Sequence, residues 1–306
     1  MSFKLNAYLP SKKQEVLISE LRYKQYRDLV KSLHNTDKKE TILQYNSILR
    51  DLCPDIAEQD ITFEDKLSLL LVIRNYCVSP DLKLKCNLQN GASYSFTIPV
   101  ENILNKVKSI NKSGIVVSNG IIIQYSSYKI RDEHVFLNNN KDTFVNLASI
   151  IDSIKIEETV VIFKDLTLEA RVKIIQELPL AVVKTVMESV EKTNRSYDSE
   201  LLLIKDPNTD GIILKFSCNI TFEILQKMVE FLYTESLNNI YKTIYNVVKY
   251  LGFSAEYADN ITPIELQVYW MYFLQDNAKQ QEQNNTTRPS GGLNMPASTP
   301  NSELGF

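Results

Sequence analysis

Residues 62–99 read TFEDKLSLLLVIRNYCVSPDLKLKCNLQNGASYSFTIP, and the change of period inside this stretch decides the fold class. Thr62 is placed to cap a helix, with Asp65 three residues on as a shortened capping-box partner. The run through Leu67, Leu69, Leu70, Leu71 and Ile73 is apolar nearly all round, which predicts a helix inside a core rather than on a surface. Beyond Pro80 the period falls to two: Leu82, Leu84 and Cys86 alternate, then Tyr94, Phe96 and Ile98, with Asn90-Gly91 as the turn. A core helix followed at once by an antiparallel hairpin is an α+β pattern.

Working outward, residues 3–9 and 14–19 flank Pro10-Ser11-Lys12-Lys13 and predict a small hairpin. Leu21, Tyr26, Leu29, Val30 and Leu33 recur at helical steps, and a second helix runs through Ile42, Tyr45, Ile48, Leu49 and Leu52 until Pro54 stops it. A short helix over Val100–Val107 closes this unit. From Ile110 to Phe163 the chain is β-rich, with a tight turn at Asn119-Gly120, a helix over TFVNLASIIDSI, a strand placed at RDEHVF and another at EETVVIF. Helices return from Asp165, one of them starting at Pro179, interrupted by a hairpin around DPNTDG and punctuated by Gly252 and Pro263. The expected architecture is α+β and mainly helical, with several short antiparallel hairpins and a C-terminal helical hairpin. Its units are 1–109, a β-rich middle segment 110–164, 165–280, and a disordered tail 281–306 poor in apolar residues. Residues 67–107 and 172–232 share the order helix, hairpin with a cysteine, helix, which suggests two related units.

Bulk properties narrow the function classes. The 306 residues carry a net charge of -3 with 23% charged and 44% hydrophobic side chains, ordinary values that point to neither nucleic acid nor a membrane as partner. Residues 1–50 hold ten basic against five acidic residues, but the two signs are interleaved, as on a solvated mixed face. The four cysteines are too scattered for a disulfide framework or a paired zinc site, and reduced buried thiols are expected. No signal core and no bilayer-length apolar run occurs. With eight glycines and two histidines, phosphate cradles and the usual general bases are scarce.

Each candidate chemical constellation has a plainer explanation. Cys86 and Cys218, in KLKCNL and KFSCNI, lack a second cysteine or a histidine at ligand spacing and read as buried strand residues. His34 ends a helix, where an imidazolium suits the carbonyl end. His134 follows Asp132 and Glu133, yet strand neighbours point to opposite faces and no nucleophile is identifiable. DPNTDG lacks the ligand spacing of a calcium loop, and the acid pairs Glu157-Glu158 and Asp55/Glu58 are ordinary surface features. No catalytic residue, metal site or cofactor is therefore assigned. The densest feature is aromatic: Tyr241, Tyr245, Tyr250, Phe253, Tyr257, Tyr269, Trp270, Tyr272 and Phe273. Tyr241/Tyr245 and Tyr269/Phe273 are one helical turn apart, as in a packed helical hairpin; the competing use is as outward interface anchors.

In their order, four blocks of the sequence resemble the baseplate hub proteins of T-even-type bacteriophages. They are LPSKKQEVLISELRYKQYRDL, then FEDKLSLLLVIRNYCVSPDLKLKC, then ELPLAVVKTVMESVE with LKFSCNITFEILQKMVEFLY, and IYKTIYNVVKYLGFSAEYADNITPIELQVYWMYFLQD. Relatives carry a paired-cysteine knuckle after the strand, whereas Cys86 stands alone here, so a metal role is not implied. The resemblance implies a non-enzymatic component of the central hub of the tail baseplate, or a factor for its assembly, that binds other hub or tape-measure proteins. It would be found in the virion or in the host cytoplasm during assembly. A tape-measure or tail assembly chaperone absent from the virion is the alternative, and a cell-envelope hydrolase a remote one. The contact surface is expected at Leu9 and Pro10 and at Tyr241, Tyr245, Tyr269, Trp270 and Phe273.

Overall fold

The computed structural model describes residues 4–56, 60–87, 93–138, 142–209 and 211–286. An opening hairpin, β1 (Lys4–Leu9) and β2 (Gln14–Ser19), leads into α1 (Tyr23–Leu33), α2 (Lys38–Leu52) and α3 (Phe63–Ile73). A π-helical turn at Arg74–Val78 joins α3 to the hairpin β3 (Asp81–Asn87) and β4 (Ser93–Pro99), and α4 (Val100–Lys108) follows without a loop. The expected turn at Asn90-Gly91 lies outside the described residues.

All eleven residues of α3 are buried, as its all-round apolar sequence predicts. Fully burying each of its leucines contributes roughly 1.5–3 kcal/mol. Four polar side chains are buried with them, and each is tied to a residue outside the helix, two of them to the first hairpin. Glu64 meets the Lys112 ammonium at 3.1 Å. Asp65 closes the capping box with Thr62 and accepts from both the backbone N–H and the hydroxyl of Ser11. Lys66 pairs with Glu133 at 2.7 Å, and the Ser68 hydroxyl donates to the Tyr8 carbonyl at 2.6 Å. Burial of polar groups is tolerated when they are paired; Glu64 has its ion pair but no hydrogen bond to either carboxylate oxygen, and the bonds of Asp65 and Ser68 fix the first hairpin on the helix.

The middle of the chain forms one four-stranded antiparallel sheet in the order β5 (Gly114–Ser118), β6 (Ile121–Tyr125), β7 (Ile151–Ile156), β8 (Thr159–Ile162). Asn119 (φ 52) and Gly120 (φ 75) are both left-handed, as a tight type I′ hairpin turn requires. Two sequence expectations are corrected here. The helix α5 (Thr143–Ile150) stops where β7 begins, because Ile151 and Ile154 pair with β6 and bury under the helices that cover the sheet. RDEHVF is not a strand but part of a 3-10 segment, Ile130–Asn138, held by buried ion pairs described below.

The rest is α6 (Leu168–Gln176), α7 (Leu180–Ser196), the hairpin β9 (Glu200–Lys205) and β10 (Ile212–Ser217), α8 (Phe222–Tyr233), α9 (Leu237–Leu251), α10 (Ala255–Asn260) and α11 (Pro263–Thr286). The fold is thus α+β, mainly helical, with short antiparallel sheets. Both 63–108 and 180–233 run helix, hairpin, helix, although Cys86 lies in the first strand of its hairpin while Cys218 follows the second strand of the other. The last helix extends to Thr286, into the segment expected to be disordered; the run Ala278-Lys279-Gln280-Gln281-Glu282-Gln283 is favourable for helix. Residues 287–306 lie outside the described residues.

Two hydrophobic clusters organise these elements. The larger takes residues from Ala7 to Ile110 and again from Leu201 to Leu266. The smaller joins one face of the four-stranded sheet to α5, α6 and α7, from Val116 to Val186. The apolar residues of the first and last thirds therefore share one core, which cuts across the boundaries expected near residues 109 and 164. Among the described residues no helix is long and apolar enough to cross a membrane.

Candidate protein-interaction surface

Leu9 is 0% exposed and Pro10 is also buried, so the expected N-terminal contact surface is not one. The reason is the α3 cap: Asp65 draws the Pro10–Lys13 turn onto the helix N-terminus through its two bonds from Ser11, and the apolar ends of the hairpin join the core.

The aromatic residues of the last helices are placed differently. Gly252 adopts φ 69 at the end of α9, the left-handed cap that lets the chain reverse through α10 into α11. Phe253 then lies edge-on to both Tyr257 (4.9 Å) and Tyr269 (5.3 Å), while Tyr250 packs on Trp270 (6.0 Å) and Phe273 (5.9 Å), which stack on each other at 5.2 Å. Trp270 and Phe273 are half-buried by these contacts. Tyr269, in contrast, keeps 42% of its surface exposed, Tyr241 50% and Tyr245 58%. The Lys249 ammonium lies over the rings of Tyr245 and Tyr250, and Lys31 of α1 lies over Tyr241. Rings held by such contacts lose less freedom on binding a partner, a condition that favours interface anchors. Trp270 and Phe273 thus pack as a helical hairpin requires, while Tyr241, Tyr245 and Tyr269 keep exposed rings.

Sequence reasoning missed two apolar features. On α11, Met271 and Leu274 are exposed alongside Tyr272, and almost every side chain described beyond Trp270 is open to solvent. Its 24 residues span about 36 Å, anchored near the N-terminus by buried Pro263 and Leu266. The second feature is the outer face of the four-stranded sheet, where Ile115, Val117, Val160 and Ile162 are exposed in two rows aligned across the strands. GIVVSNGIIIQY carries apolar residues at consecutive positions, a signal that both faces, not one, are apolar.

The two acids that precede His134 are held in buried pairs. Glu133 accepts from Lys66, Asn46 and Gln226, and Asp132 takes a bidentate pair with Arg171 at 2.7 Å. Both acids are buried, and the intervening turn leaves His134 exposed. His34 sits at the end of α1, its Nε2 3.3 Å from the Glu235 carbonyl. Cys53, Cys77 and Cys218 are buried free thiols and Cys86 is half-buried. Among the described residues no group of three or more His, Cys, Asp or Glu side chains is arranged to hold a metal ion.

A family model described as T4 bacteriophage base plate protein matches residues 1–199. No curated protein and no solved structure matches the chain.

Proposed function

Because the chain belongs to the T4 bacteriophage base plate protein family, we propose that it works without catalysis, as a component of the central hub of the tail baseplate or as a factor in building that hub. Membership implies a place in a phage baseplate and contacts with other baseplate proteins; the hub, and hub or tape-measure proteins as partners, are the finer reading offered here. The observation that carries it is the number of exposed aromatic and aliphatic side chains on α9 and α11, Tyr241, Tyr245, Tyr269, Met271, Tyr272 and Leu274. Exposed apolar side chains on a helix anchored at one end suit docking onto a groove or helix of a partner.

The test is co-expression with the hub and tape-measure proteins of the same phage, followed by size-exclusion chromatography. Co-elution is expected, and Tyr245→Ala/Tyr272→Ala should weaken it at least about tenfold without lowering thermal stability, since both rings are largely exposed. Undiminished co-elution of the folded double variant overturns the surface assignment. Mass spectrometry of purified virions separates a resident component from an assembly factor that leaves.

A further inference from the structure

Among the described residues the β3–β4 hairpin is a two-stranded sheet, so β3 pairs on one edge. Its free edge lines a cleft of about 360 Å³ closed on the other side by the end of α8 and the start of α9. Five consecutive residues, Asp81 to Lys85, line that cleft. One face of a strand would contribute alternate residues, so it is the edge, with its backbone N–H and C=O groups, that is presented. The hairpin's inner side chains, Leu82, Leu84 and Phe96, are taken up by the core, while Lys83 and Lys85 are exposed.

Arg74, from the π-helical turn, also lines the cleft. Its Nε is buried without a hydrogen-bond partner. The neighbouring carboxylate, Glu235, already accepts from the Tyr26 hydroxyl, and burial raises its pKa. The Asp81 backbone N–H and C=O are already bonded to the Ser79 hydroxyl, so the cleft combines a strand edge open from Leu82 to Lys85, about 13 Å long, with three cationic side chains, Arg74, Lys83 and Lys85, against two acids, Asp81 and Glu235.

We propose that this cleft receives an extended, acidic segment of another protein, which adds to β3 as a further antiparallel or parallel strand and places a carboxylate against Arg74. Backbone bonds along β3 supply affinity, and Arg74, Lys83 and Lys85 select Asp or Glu in the incoming strand. This occupant goes beyond the proposed hub role, and it uses a different surface from the α9/α11 aromatics.

The experiment is selection of a displayed library of random twelve-residue peptides on the immobilised full chain. Hydrogen–deuterium exchange then follows with an enriched peptide. Enriched peptides should carry Asp or Glu within a β-prone run and should slow exchange in β3. Binding should fall at least about tenfold in Arg74→Gln and in Lys83→Glu/Lys85→Glu, the second pair being exposed and harmless to the fold, while Tyr245→Ala/Tyr272→Ala leaves it unchanged. No enrichment, no preference for acids, or protection confined to α9 and α11 overturns the proposal. So does concentration-dependent protection of β3 in the peptide-free chain, which would seat a second copy in the cleft.

Discussion

Lys66 and Glu133 form a buried ion pair, with the ammonium 2.8 and 2.7 Å from the two carboxylate oxygens and side-chain exposures of 1% and 0%. It joins the central helix α3 to the 3-10 segment between the two cores. Removing one member leaves the other as an uncompensated buried charge, which typically costs about 3–5 kcal/mol. Lys66→Met is therefore expected to destabilise by about that amount in urea unfolding. Lys66→Met/Glu133→Leu should recover only part of it, because Asn46 and Gln226 also donate to Glu133 and would lose their acceptor.

Gly114→Ala tests the packing of the smaller core. A Cβ at this position would stand 2.4 Å from the Tyr125 ring and hydroxyl, and that hydroxyl is held at 2.9 Å by both Ser189 and Thr193 of α7. The ring cannot move without breaking those bonds. A loss of about 1–3 kcal/mol is expected, and recovery in Gly114→Ala/Tyr125→Phe would identify the hydroxyl as the obstacle.

Thiol chemistry should be sharply ordered. Burial pushes the Cys77 thiol up to about 11, outweighing the Leu21 N–H that donates to its sulfur, so almost no thiolate is present near pH 8. Mass spectrometry after brief iodoacetamide treatment should find Cys86, the half-buried one, modified first. Labelling of Cys53, Cys77 and Cys218 should require unfolding. Modification of Cys77 at the rate of Cys86 would contradict the packing described.

Glu235→Gln should change the pH dependence of stability. Burial raises the Glu235 pKa above its ordinary 4.5, so the folded state holds its proton more tightly than the unfolded state. Its contribution to stability is accordingly greatest below the unfolded value and falls as pH rises through the folded value. The amide mimics the protonated acid at every pH and still accepts from Tyr26. Relative to the native chain, the variant's urea midpoint should rise between pH 4.5 and pH 7; a constant difference would mean that Arg74 fully compensates the charge.

Much of the fold could be read locally. The Thr62/Asp65 box, the all-buried α3, the Asn119-Gly120 turn and the Gly252 cap are each written in a few adjacent residues, and each has a steric or hydrogen-bonding cause that does not depend on distant contacts. What failed was decided at long range. Pro10 looks like an exposed turn until Asp65, 54 residues after Ser11, pulls it inward. RDEHVF is a 3-10 segment because its acids are held by Lys66 on α3 and Arg171 on α6, contacts that its own residues do not announce. Isoleucines 150 and 151 belong to different elements only because β6 is available to pair with the second. The aromatics of α9 and α11 were visible as a density in the sequence, but which of them are half-buried depended on Tyr250 packing against Trp270 and Phe273.

The shared core has a consequence in time. Tyr233 donates to the Leu70 carbonyl and the Tyr23 N–H to the Ile261 carbonyl, so α1 and α3 finish packing only when residues beyond 230 have been made. At roughly 5–20 residues per second, synthesis from Lys108 to Leu266 occupies on the order of ten to thirty seconds. Throughout that interval a helix destined to be buried on every side waits on the ribosome with part of its covering not yet translated.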